Sequence, residues 1–240
     1  MTPTFFTSRL RWPFWLVVLA LFVAGWWYPV SSKLTRASGL VLFLLVWFGL
    51  LAMGWKNRVL RFIGLAITSL TVIFLMLPAR SLRDSDALRS GYVSGLQRYD
   101  GVRYFWGGES PVGIDCSGLI RRGLIDSLFL HGIRTLDAGL VRHALWLWWN
   151  DCTARELGEG HGMTTALLET PSINALDPAK ILPGDIAVTA GGLHIMAYLG
   201  ENRWIEADPM VQRVLTVTVP SYNVWFGQPM KVVRWNIFAH

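Results

Sequence analysis

Apolar runs without a single charge fill residues 13–30, 39–55 and 62–77. None shows the polar stripe of a helix packed on a soluble core. A membrane-spanning helix needs about 17–25 apolar residues; the first run fits and the other two are short. The third also carries Thr68, Ser69 and Thr71. Aromatics gather near the run ends: Trp12 and Trp15, then Trp26, Trp27 and Tyr28, then Trp47 and Trp55. Such rings collect at membrane interfaces, being apolar at one end and hydrogen-bonding at the other. The pattern predicts about three transmembrane helices in residues 1–80, with the lipid bilayer as a partner.

Past residue 80 the pattern changes. Residues 81–86 mix charges and serines and read as a linker. Leu88, Tyr92, Val93, Leu96 and Tyr99 recur at helical spacing, and Asp100 and Gly101 end that helix. Gly107, Gly108, Pro111 and Gly113 make a tight turn. Asp115 then reads as an N-cap, and residues 116–130 continue as a helix with Leu119, Ile120, Leu124 and Leu128 on one face. Residues 140–149 look helical, and 156–162 loop-like. Pro183, Gly184 and Asp185 form a turn before a set of short strands at 186–189, 194–199, 203–207, 211–219 and 231–235. Helices followed by strands predict an α+β domain over residues 87–240, with helices packed on an antiparallel sheet.

Charge is divided unevenly. Residues 1–80 hold eight of the 22 Lys and Arg and no Asp or Glu; the rest holds 14 basic residues against all 16 acidic ones. The high pI therefore belongs to the apolar part. A near-neutral globular part excludes a nucleic-acid-binding face. With the N-terminus inside, Arg9, Arg11, Lys56, Arg58 and Arg61 lie on the cytoplasmic side, and Lys33, Arg36, Arg80 and Arg83 outside. Five against four favours that orientation, and three spans then put the α+β domain outside. If the first run is instead a cleaved signal peptide, the domain still lies outside.

Two cysteines, Cys116 and Cys152, are too few for a disulfide framework; Cys152 reads as an unpaired bystander. Cys116 is different. It follows a Gly-rich turn at the start of a helix, where free N–H groups and the helix dipole favour a thiolate. Seventy-eight residues on, His194 opens an apolar strand, and Glu206 lies one strand later. Cysteine, histidine and a polar orienter are the parts of a cysteine peptidase. Asp208 is a rival orienter, since residues two apart on a strand share a face. The alternative for Glu206 is a solvated place on a polar outer sheet face. His131, His143, His161 and Cys152 lack a recognised ligand spacing, so neither metal nor cofactor is expected.

Three segments together resemble the NlpC/P60 family of papain-like cysteine peptidases: Tyr104-Phe105-Trp106-Gly107-Gly108 with Asp115-Cys116-Ser117-Gly118-Leu119; Leu182-Pro183-Gly184-Asp185-Ile186; and His194-Ile195-Met196-Ala197-Tyr198-Leu199-Gly200 with Ile205-Glu206-Ala207. The resemblance covers about residues 85–240 and leaves the apolar part uncovered. It implies a papain-like fold and cleavage of peptidoglycan stem peptides, typically between D-glutamate and a diamino acid; the apolar runs add the bacterial inner membrane as the place of action. By position, Cys116 is the nucleophile and His194 the base. Glu206 takes a third place that is usually His, Asn or Gln in that family. Tyr104 helps hold the oxyanion, and Asp115 and Ser117 help bind the substrate amine, with Trp106 alongside as packing or substrate contact. A membrane-anchored cell-wall endopeptidase is the leading reading. Its rivals are an amidase or acyltransferase acting on a lipid-linked substrate, and a non-catalytic wall-binding protein. The tryptophans of the 131–180 segment (Trp146, Trp148, Trp149) wall the cleft, face the membrane or pack on the core. Nothing in the chain points to a protein partner.

Overall fold

The computed structural model describes residues 8–80 and 84–239. Ser81, Leu82 and Arg83, half of the expected linker, lie outside the described residues, as do the side chains of Arg9, Arg11 and Trp12.

Three apolar helices come first: α1 (Ser8–Trp26), α2 (Lys33–Gly54) and α3 (Arg58–Met76). Their starts follow local chemistry. Ser32 and Thr35 form a reciprocal capping box on α2, and Asn57 accepts from Val59 and Leu60 N–H at the head of α3. Among the described residues, α2 and α3 are long and apolar enough to cross a membrane, whereas the apolar stretch 13–26 of α1 is shorter. Only 6% of each of the two qualifying windows is buried. A core helix of a soluble protein would be mostly covered.

The rest is an α+β unit. Helix α4 (Ser85–Gln97) is followed by the short hairpin β1 (Glu109–Ser110) and β2 (Gly113–Ile114), then α5 (Cys116–Arg134), α6 (Ala138–Trp149) and α7 (Ala154–Glu159). Strands β3 (Thr164–Thr170), β4 (Ile186–Thr189), β5 (Ile195–Gly200), β6 (Arg203–Asp208), β7 (Arg213–Thr218) and β8 (Met230–Trp235) form one sheet, in the order β3-β8-β4-β5-β6-β7. Every pairing is antiparallel. Helix α5 is central: the expected stripe Leu119, Ile120, Leu124 and Leu128 is fully buried against α4, α6 and one sheet face.

Three features depart from the sequence reading. Residues 154–159 form a helix rather than a loop, started by a capping box between Thr153 and Glu156. Strand β3 was hidden because it is an edge strand with a mostly solvent-facing pattern, paired only to β8. The second sheet face is also not a polar surface. Met196, Tyr198, Trp204 and Val232 on it are covered by Ile173, Ile181 and Phe226, which come from short turns of helix between strands. That cover decides the environment of Glu206.

The turn at Pro183-Gly184-Asp185 has a structural role. Arg234 on β8 sends Nε and Nη2 to the two oxygens of fully buried Asp185, both at 2.7 Å. Asp185 also accepts from Leu182 N–H at 2.7 Å, and Gly184 takes φ +91°, where other residues are strained.

Candidate active site

Cys116 is the first residue of α5, and its place is set by the glycines around it. Asp115 caps the helix, its Oδ1 accepting from Gly118 N–H at 2.6 Å and its Oδ2 from Gly107 N–H at 2.8 Å. Asp115 N–H donates to Gly108 O at 3.0 Å. A Cβ on Gly118 would lie 2.2 Å from Gly108 O, and one on Gly108 would lie 2.4 Å from Gly113 O. Only glycine allows the turn to close on the head of the helix at this distance. The Gly108 and Gly118 positions of the motif are therefore a packing requirement of the Cys116 helix, while Gly107 is required by its φ of +72°.

Cys116 is buried, and its thiol is pushed up to about 12. Burial is the main cause and the Asp115 carboxylate the next. Backbone N–H groups of Ser117, Ile195 and Cys116 itself act the other way. Cys116 shares one buried cluster with Ile195, the residue next to His194.

His194 immediately precedes β5 and is held by main-chain bonds to Thr189. Its N–H donates to Thr189 Oγ1 at 2.9 Å, and its carbonyl accepts from Thr189 N–H at 3.0 Å. The antiparallel pairing of Ala197 with Ile205 brings the start of β5 beside the end of β6, which carries Glu206. His194 Nε2 lies 2.6 Å from Glu206 Oε2, both side chains having no solvent exposure. Nδ1 has no hydrogen-bond partner among the described residues. Burial raises the Glu206 carboxyl above the usual range, against the lowering effect of His194 and Asn223.

Two neighbours of this pair were not legible in the chain. Asn223 Nδ2 donates to Glu206 Oε1 at 2.6 Å and to Asp208 Oδ2 at 3.1 Å, tying the two carboxylates together. Trp225 stacks on His194, with ring centroids 4.3 Å apart and planes at 21°. Both come from the loop before β8, and the one sequence signal for them was that carboxylates at 206 and 208 demand a donor. Asp208 is buried but does not reach the imidazole. Its Oδ1 accepts from Met210 and Val211 N–H.

Tyr104 is buried, and Cys116 and Asp115 contribute to raising its hydroxyl, after burial. Ser117 Oγ donates to Asp115 Oδ1 at 3.0 Å. Cys116, Asp115, Ser117 and Trp106 line a cleft of about 570 Å³, with Trp106 exposed at its rim. His194, Glu206 and Tyr104 do not line it; they are buried.

The cleft lining carries an unforeseen ion-pair network. Glu109 meets Arg36 Nη2 at 2.7 Å and Arg121 Nη2 at 3.4 Å, and Asp151 bonds Arg121. Glu109 is raised by burial, opposed by Arg121 and Arg36. Cys152 is free and buried beside this network, its thiol pushed up to about 12 by desolvation. Among the described residues no group of three His, Cys, Asp or Glu converges as a metal site. Of the tryptophans on α6, Trp148 packs against the core, while Trp146 and Trp149 are exposed.

No family model and no curated protein matches this chain. Several solved structures are similar to it. NlpC1 from Trichomonas vaginalis is 18% identical with a TM-score of 0.42, covering 64% of this chain and 46% of its own. The peptidoglycan hydrolase RipB from Mycobacterium tuberculosis is 20% identical with a TM-score of 0.41, covering 65% and 68%. An NLP/P60-family protein from Staphylococcus aureus, described as similar to a lipoprotein, is 20% identical with a TM-score of 0.39, covering 66% and 43%. The chain thus spans less than half the length of two of these three proteins. Its structural neighbours are NlpC/P60 proteins.

Proposed function

We propose that this chain is a membrane-anchored cysteine peptidase that hydrolyses amide bonds in peptidoglycan stem peptides. The observation that carries the reading is the buried His194–Glu206 pair, whose remaining ring nitrogen has no partner among the described residues and whose chain neighbours Leu193 and Ile195 share the cleft lining and the buried core with Cys116. A structural histidine in a core would have both nitrogens satisfied. The substrate class rests on the three motif segments and their NlpC/P60 resemblance.

In this mechanism His194 Nδ1 takes the Cys116 proton, and Glu206 holds the tautomer and stabilises the imidazolium. The thiolate attacks the amide carbonyl carbon, forming a C–S bond. The oxyanion is held by the Cys116 N–H, unsatisfied at the head of the helix, and by the Tyr104 hydroxyl. His194 then protonates the leaving amine as the C–N bond breaks, and water hydrolyses the thioester. Asp115 and Ser117 face the cleft where a substrate amine would sit. The near-bare apolar faces of α2 and α3 support membrane anchoring, with residues 87–240 as the catalytic part on the outer face.

The test uses the full chain in detergent, as wild type and as Cys116→Ala, with isolated muropeptides read by mass spectrometry. New stem-peptide fragments from wild type alone are the expected result. Activity retained by Cys116→Ala removes the nucleophile assignment.

A further inference from the structure

The cleft beside Cys116 is not walled by the α+β unit alone. Ser31 and Arg36, from the turn before α2 and its first turn, line it together with Glu109 and Cys116. The join is tight. Val30 forms an antiparallel bridge with Gly108, and Ser31 N–H donates to Gly107 O at 2.7 Å. Arg36 sends Nε to Ser31 Oγ at 3.0 Å and Nη2 to Glu109 Oε2 at 2.7 Å, the two charged side chains each being 3% exposed. Gly107 and Gly108 are the residues that fix Asp115. A continuous run of bonds therefore links the head of α2 to the residue before Cys116.

The height of this wall above a bilayer follows from the chain. Trp26, Trp27 and Tyr28 close α1 and are 73%, 72% and 57% exposed. Exposed rings of this kind settle at the headgroup level. The step from Tyr28 to Ser31 spans at most about 10 Å of extended chain. The headgroup layer is itself about 5–8 Å thick on each side. Ser31, and with it the membrane-side wall of the cleft, therefore lies at or just above the headgroups. A substrate in the distant wall or in bulk solution would have to be drawn down to that level. One whose far end is fixed in the bilayer is presented there.

We infer that the cleft takes a membrane-tethered amide substrate, with residues 30–36 as its membrane-side wall. This rests on the proposed reading of the apolar helices as spans and of Cys116 as the nucleophile.

The test uses the full chain in nanodiscs and three labelled probes. One is a free stem peptide containing the D-glutamyl–diamino acid bond. The second is the same peptide on a C16 chain held in the same bilayer, and the third a scrambled peptide on that chain. Cys116→Ala leaves the cleft walls in place and reads binding. It is expected to bind the tethered stem peptide at least about tenfold more tightly than either other probe. Equal affinity for the free peptide, equal affinity for the scrambled one, or no binding of any probe would overturn the inference. Binding of the tethered probe without cleavage by wild type would remove the hydrolase reading and leave the substrate class standing. The double variant R36M/E109Q removes the wall's ion pair without stranding a charge. It is expected to lower kcat/KM for the tethered probe by a larger factor than for the free one. An equal loss on both would mark a purely structural role and overturn the assignment of the wall.

Discussion

His194 Nε2 and Glu206 Oε2 sit 2.6 Å apart with no solvent on either side chain. The carboxylate is in turn held by Asn223, which also binds Asp208. The two carboxylates differ in geometry: Glu206 touches the imidazole, and Asp208 accepts from Met210 and Val211 N–H and from Asn223. An ionised carboxylate there fixes the proton on Nε2 and leaves Nδ1 as the acceptor.

Glu206→Gln therefore lowers kcat by about 10²–10⁴-fold, because a neutral amide neither enforces the tautomer nor stabilises the imidazolium. Asp208→Asn has a smaller effect, within about tenfold, since it keeps an acceptor for the Met210 and Val211 N–H groups and loses only the one for Asn223, which still holds Glu206. Steady-state kinetics on one muropeptide checks both. A larger loss in the Asp208 variant would reverse the assignment.

The same substitution has the opposite effect on stability. Burial raises the folded Glu206 carboxyl above its ordinary 4.5. A raised carboxyl contributes stability that is fully present below the unfolded value and is lost as pH rises through the folded value. Glu206→Gln removes that loss. Its melting temperature should equal or exceed that of wild type at pH 7, with the advantage vanishing near pH 4. Thermal melts of both proteins across that range measure it; parallel curves would count against the burial argument.

Asp115 holds the turn but disfavours the thiolate beside it, and burial adds to this in pushing Cys116 up to about 12. Asp115→Asn keeps an acceptor for Gly118 N–H and loses the charge. Cys116 then alkylates several-fold faster at pH 8, because the reactive thiolate fraction rises as the pKa falls. Iodoacetamide labelling followed by peptide mass spectrometry reads the rate at Cys116 apart from that at Cys152. An unchanged rate would mean that burial alone sets the thiol.

Removing Arg36 leaves buried Glu109 with Arg121 alone, at 3.4 Å, and leaves Arg121 shared between Glu109 and Asp151, so one negative charge in a nearly dry site loses its compensation. Arg36→Met should cost about 3–5 kcal/mol of stability, and R36M/E109Q should recover most of it. Chemical denaturation of the α+β unit, followed by its tryptophan fluorescence in detergent, gives both values. Additive losses would show that the two residues are not coupled.

Much of the site could be read from the chain because its signals are local. Asp115 and Gly118 are three residues apart, the reach of a helix cap, and the Gly107-Gly108 pair announces a turn that must close tightly. His194 and Glu206 sit on neighbouring short strands, so a hairpin suffices to join them. Asn223, Trp225, Glu109 and Arg36 left no such trace. Each acts on a residue that is distant in sequence, and an isolated asparagine or arginine has the same local pattern whether it is buried or solvated. Strand β3 was missed for a related reason: at a sheet edge its residues face water and do not alternate.

The sequence by itself determined the division into an apolar, wholly basic part and a near-neutral α+β part, the helix headed by Cys116, and the strand opened by His194. These follow from hydrophobic period, capping and turn chemistry, which act over a few residues. Tertiary structure alone decided that the outer sheet face is covered, that Glu206 rather than Asp208 meets His194, and that the turn before α2 walls the cleft. Those outcomes depend on which surfaces exclude water together, and burial is a property of packed elements that no single segment carries.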